Sequence, residues 1–168
     1  MYQPTAEEFN SYFEPYISKV EDDVLNELEQ QGEQFPAFIR SIPNAKENYA
    51  YASGKWTIKE LLGHIIDTER IMAYRALRFA RNDSQNLPGF DENEYVKYSH
   101  YFERSLESLA EEFALVRKAN LFLFESFNEE ELVRRGLANN NEVSVRALVY
   151  IIVGHLKHHQ EVLKERYL

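Results

Sequence analysis

Ser144-Val145-Arg146-Ala147-Leu148-Val149-Tyr150-Ile151-Ile152-Val153-Gly154-His155-Leu156-Lys157-His158-His159-Gln160-Glu161-Val162-Leu163 is the stretch on which the reading of this chain turns. At about 100° per residue, Leu148, Ile152, His155, His159 and Leu163 fall on one helical stripe, flanked by Ile151 and Val162. The pattern predicts a helix that begins near Ser144 and runs almost to Leu168. Two imidazoles one turn apart thus stand where a core-facing surface would carry aliphatic groups. Positions i and i+4 lie about 5–6 Å apart at Cβ, which lets both rings reach one metal ion. Neutral imidazole is a good ligand for zinc, nickel or iron(II). The same spacing also fits two buried histidines that merely hydrogen-bond, and the pair alone leaves both readings open.

A tight site needs a third ligand, and His64 is the natural candidate. Thr57-Ile58-Lys59-Glu60 has the capping-box pattern, directly after Gly54 and Trp56, and predicts a helix from there to about Asn82. His64 lies in mid-helix at the edge of its apolar face, beside Leu61, Thr68 and Ile71. Facing helices of a bundle project ligands inward at matching depth. Three protein nitrogens would leave one coordination position for water or substrate, the mark of a catalytic rather than a structural site.

The rest of the chain also reads at helical period. Phe13, Tyr16, Ile17, Val20, Val24 and Leu28 predict an amphipathic helix over roughly 11–31, with a short second helix at 33–41 before Pro43. Phe102, Leu106, Leu109, Phe113, Val116, Asn120, Leu123 and Phe127 form a packing seam for a third long helix. Residues 82–102, with Leu87-Pro88-Gly89-Phe90-Asp91, read as a loop or partly helical lid. Asn128 to Arg135 reads as a short helix ended by Gly136, and Asn139-Asn140-Asn141 as a polar loop. Four long helices around one core make an all-α bundle, a single domain over residues 1–168.

Composition narrows the function. The chain has 168 residues, 44% hydrophobic and 28% charged, which suits a globular domain. It has no cysteine, so disulfides, thiolate ligands and a protein thiol nucleophile are excluded. The opening residues Met1 to Glu8 lack a basic-then-apolar leader pattern, and no uncharged stretch approaches the ~20 residues of a membrane span. A cytoplasmic protein without membrane contact is expected. A net charge of −9 repels phosphate backbones and argues against nucleic acid as a partner. Arg70, Arg75, Arg78 and Arg81 do not share one helical face, so solvated ion pairs are expected for them.

Several polar residues invite roles. Glu69 shares a helical face with Leu62, Ile65, Met72 and Ala76; a buried carboxylate there would be a general base or, more simply, the partner of an arginine. Asp67 falls on the solvent side unless other helices cover it. Asn120 interrupts the seam of the third helix, as a pocket group or a register device. His158 lies off the stripe towards solvent, and His100 belongs to the lid loop. Tyr95, Tyr98 and Tyr101 suggest an aromatic surface beside that lid, although tyrosines more often pack.

Trp56-Thr57-Ile58-Lys59-Glu60-Leu61-Leu62-Gly63-His64-Ile65-Ile66-Asp67, followed some ninety residues on by Gly154-His155-Leu156-Lys157-His158-His159, resembles the DinB/YfiT-like superfamily. The likeness spans nearly the whole chain, including the Leu87–Asp91 loop. It implies an up-down-down-up four-helix bundle with short extra helices and a lid loop, and a metal, often nickel or zinc, held by His64, His155 and His159. Homodimers are common in the family. Its members include S-transferases that use bacillithiol, mycothiol or glutathione, a thiol-dependent isomerase and hydrolases, so the resemblance does not fix the reaction. With no cysteine in the chain, any thiol would come from a small-molecule cosubstrate. A metal-dependent enzyme is therefore expected, transferring a low-molecular-weight thiol to an electrophile or hydrolysing a small substrate. The rival is a non-catalytic, stress-associated metal-binding protein that acts through a partner. The family's damage-inducible name describes regulation and gives no support to DNA handling.

Overall fold

Helices form here where the sequence supplies both a start signal and an apolar stripe. In the computed structural model, which describes residues 1–21 and 23–168, the long helices are α2 (Val24–Ser41), α3 (Ile58–Ala80), α5 (Leu106–Glu125) and α7 (Val145–Val162). The short ones are α1 (Glu14–Ile17), α4 (Glu92–Tyr98) and α6 (Glu129–Val133), and a hairpin of β1 (Arg135–Ala138) and β2 (Asn141–Ser144) precedes α7. α3 opens on the Thr57/Glu60 capping box, the Thr57 N–H donating to Glu60 Oε2 at 2.7 Å and the Glu60 N–H to Thr57 Oγ1 at 3.3 Å. Ser144 caps α7, Ser105 caps α5 and Asp23 caps α2. Each cap takes up amide donors that a first helical turn leaves without partners.

α2 packs on α5, α5 on α3, α3 on α7 and α7 on α2, which closes an up-down-down-up bundle, and α1 lies across α7. One part of the core gathers Val24, Leu28, Ala76, Phe79, Leu148 and Ile152; the other gathers Ile39, Leu62, Ile66, Leu109, Phe113 and Leu163.

Three boundaries differ from the sequence reading. The helix expected over 11–31 is broken: α1 ends at Ile17, and a new helix starts where the Asp23 carboxylate accepts from the Leu25 and Asn26 amides. Residue 22 of that stretch lies outside the described residues. The segment expected as a separate helix at 33–41 is the second half of α2, because Val24, Leu28, Phe35 and Ile39 share one buried stripe despite Pro36. Gly136 ends no helix; it pairs with Val143 in the hairpin, where the Phe79 ring leaves no room for a Cβ, 2.1 Å from its Cδ1. Asn139 and Asn140 make the turn with φ of 51° and 61°, the left-handed pair a tight hairpin requires. The lid segment folds back on this hairpin through Leu87 N–H to Leu137 O and Asn139 N–H to Leu87 O. The last helix does run almost to Leu168, the regular turns of α7 giving way to a wider π turn over Leu163–Tyr167.

Candidate metal centre

One stripe of α3 and one of α7 face each other across a cavity of about 440 Å³. From α3 come His64, Thr68, Met72 and Arg75, at steps of four, four and three; from α7 come Leu148, Ile151, His155 and His159. Tyr16 of α1, Trp56, Phe90 of the lid and Val143 of the hairpin complete much of the wall. The three histidines converge through the same ring atom. His155 Nε2 lies 3.1 Å from His64 Nε2 and 3.0 Å from His159 Nε2. His64, His155 and His159 thus form a set whose donor atoms can serve a single ion.

Physical chemistry keeps these rings neutral. Burial is the main cause, and it pulls His64 down to about 4 and His159 to about 3, with neighbouring imidazoles adding to the effect at His159. His155 is held well below the usual histidine range by burial and by His159, His64 and His158 around it. Two neutral rings can share at most one proton between facing nitrogens, so three converging Nε2 atoms leave lone pairs with no protein hydrogen to accept. That donor set fits a divalent cation of the zinc or nickel type. Thr68 Oγ1, 3.5 Å from His64 Nδ1, orients that ring from behind. His159 Nδ1 is buried with no hydrogen-bond partner among the described residues. The Trp56 ring stands 4.7 Å from the His64 ring, and Tyr16 meets His155 edge-on at 5.5 Å. Gly154 makes the latter approach feasible: a Cβ there would fall 1.9 Å from the Tyr16 carbonyl oxygen.

The other polar residues singled out in the sequence are placed elsewhere. Glu69 is buried in a bidentate pair with Arg117, at 2.8 Å on each oxygen, and Asn120 Nδ2 donates to the same carboxylate at 3.1 Å. Neither Glu69 nor Asn120 lines the cavity. Asp67 is half-buried against Tyr101, and burial raises its pKa. His158 is half-buried, its ring 5.4 Å from that of Tyr16. His100 is exposed beside Glu103 and does not belong to the three-histidine set. Tyr95 and Tyr98 are exposed but Tyr101 is buried, so the three make no common surface. Arg70, Arg78 and Arg81 pair with Glu112, Asp83 and Glu131, as solvated arginines should. Arg75 departs from the expectation: it is buried in the cavity wall and makes no ion pair among the described residues. Thr68, Met72 and Arg75 follow His64 at near one-turn spacing, a signal that could have marked them as cavity residues, although Arg75 was expected in a solvated ion pair; Tyr16 gives no such signal, since it reaches the site only through the packing of α1 on α7.

Fold and donor set together describe a mostly helical four-helix bundle with three imidazoles open to a small-molecule-sized cavity. The family model of the DinB superfamily matches residues 27–163, all three histidines included, and the chain belongs to that superfamily. Among solved structures it is similar to YfiT from Bacillus subtilis, described as a probable metal-dependent hydrolase with an unusual four-helix bundle topology. The TM-score is 0.68 at 14% identity, over 97% of this chain and 92% of that one, a likeness of fold. No curated protein matches the chain. Among the described residues, no helix is long and apolar enough to cross a membrane.

Proposed function

We propose that this protein holds one divalent metal ion through His64, His155 and His159 and uses it to activate a nucleophile, water or a low-molecular-weight thiol, against a small electrophile. The observation that carries this reading is the meeting of three neutral Nε2 atoms, from two buried histidines and the half-buried His159, in a cavity large enough for a ligand. A bound ion would supply Lewis-acid activation, lowering the pKa of water towards ~7 or keeping a thiol ionised. The chain supplies the rest. Trp56, Met72, Leu148 and Ile151 line the cavity with apolar surface. Burial holds the Tyr16 phenol protonated, its pKa raised to about 12, so it can donate a hydrogen bond into the cavity. Water as nucleophile agrees with the description of YfiT. A thiol agrees with a chain that has no cysteine of its own and must take one from solution.

Elemental analysis of untagged protein purified without added metal tests the centre. About one ion per chain, lost in a His155→Ala/His159→Ala variant, is the expected result; no metal in either, and none taken up on titration, would end the proposal. A cobalt-loaded sample then separates the nucleophiles. A shift of its visible spectrum on adding cysteine or glutathione selects the thiol, and an unchanged spectrum selects water.

A further inference from the structure

Arg70, Arg78 and Arg81 each pair with a carboxylate, and among the described residues Arg75 of the same cluster does not. It is 6% exposed, and among the described residues no carboxylate lies within 4.0 Å of its guanidinium. Its Nη2 donates to the Pro88 carbonyl at 2.9 Å, its Nη1 makes a 3.7 Å contact with the Met72 sulfur, and the Phe90 ring stands 5.8 Å away. One carbonyl and one thioether leave most of five N–H donors and the whole charge uncompensated. Burying an unpaired charge is costly, and a neutral donor would hold Pro88 as well. The carboxylates that share the cavity wall do not answer it. Glu142 is paired with Arg135 at 2.8 Å, and Glu92 lies on the Tyr16 side, where it raises that phenol's pKa.

We propose that Arg75 is the oxyanion-binding end of the cavity, and that the ligand is a small molecule with a carboxylate or phosphate at one end and a reactive group at the other. The assignment of the reactive end rests on the metal reading above; the anion end stands on Arg75 alone. Eleven residues separate His64 from Arg75, about 16 Å of helix rise. The Arg75 side chain leans back over Met72 and shortens that span. Met72 on α3 and Leu148 and Ile151 on the facing α7 stripe line the cavity, so the middle of the ligand is apolar. Anionic substrate and net-negative protein are compatible because the anion meets a buried cation, not the surface.

The test compares hexanoate with hexanol by titration calorimetry, on the protein as purified and after metal is stripped. Hexanoate is expected to bind the stripped protein at least ten-fold tighter than hexanol, and Arg75→Gln is expected to abolish that preference. Arg75→Lys, which keeps the charge but loses the fork, should retain part of it. Inorganic phosphate competing with hexanoate would place a phosphate end beside the carboxylate one; failure to compete restricts the group to carboxylate. Equal binding of the two probes, binding of neither, or a preference that survives in Arg75→Gln overturns the proposal. The comparison on unaltered protein needs no variant to fold. Absence of metal by elemental analysis would defeat the metal reading while leaving the stripped-protein comparison intact, so the two proposals fail separately.

Discussion

His64, His155 and His159 differ from ordinary histidines in what burial does to them. Each folded-state pKa lies below the free value, so between about 6.5 and 3–4 the unfolded chain binds more protons than the folded one. Stability of the metal-free protein therefore falls as pH drops through that window, and urea midpoints at pH 7, 5.5 and 4 should decrease in order. A His159→Leu variant should show a shallower decline; an equal decline would place the titration elsewhere. Glu69 poses the opposite case. Its bidentate pair with Arg117 is fully buried, and Glu69→Leu leaves a stranded guanidinium, a loss of about 3–5 kcal/mol in denaturant unfolding. Metal content per folded chain should not change, because that pair lies off the cavity. Reduced metal in folded Glu69→Leu would show that it supports the centre after all.

At the scale of elements, α7 carries the balance between packing and site. Gly154 precedes His155 by one residue and admits the α1 backbone. Gly154→Ala would gain about 1 kcal/mol of helix propensity. An added Cβ 1.9 Å from a carbonyl oxygen cannot be absorbed by a rotamer, and overpacking of about 1–3 kcal/mol outweighs the gain. Thermal unfolding should show net destabilisation, and Tyr16 fluorescence should change as α1 lifts. At the other helix, Thr57→Ala removes the α3 cap at a cost of about 1 kcal/mol without touching a donor atom, so metal stoichiometry should hold.

For the whole molecule, a second acid-sensitive contact ties the N-terminal segment to the start of α7. Burial opposes ionisation of Glu8, but Arg146, the Thr5 amide and Ser144 outweigh it and hold the carboxyl at about 2. Its contribution is present above about pH 4.5 and lost as pH falls towards 2. Asp23 and Glu112 are likewise held below the usual carboxylate range, so Glu8 supplies one part of the acid loss. Glu8→Gln is expected to reduce the loss of stability between about pH 4.5 and 2 while leaving the decline from pH 7 to 5.5 in place, and an unchanged loss below pH 4.5 would refute the assignment.

Periodicity and capping made the long helices legible. The stripe through Leu148, Ile152, His155 and His159 needed only helix geometry, and the Thr57/Glu60 box needed only local hydrogen bonds. The three-histidine set was legible for the same reason, since two members share one turn and the third lies on the other helix with a matching apolar face. Starts and stops set by competition were less so. Asp23 rather than any proline decides where α2 begins, and Phe79 pressing on Gly136 turns an expected helix end into a hairpin. The partners of charged groups lay beyond the sequence altogether. Glu69 meets Arg117 forty-eight residues away, and among the described residues Arg75 is left without a carboxylate while Arg70, Arg78 and Arg81 find theirs. A helix fixes which face a side chain occupies; which charge or void stands opposite is decided only when the helices pack.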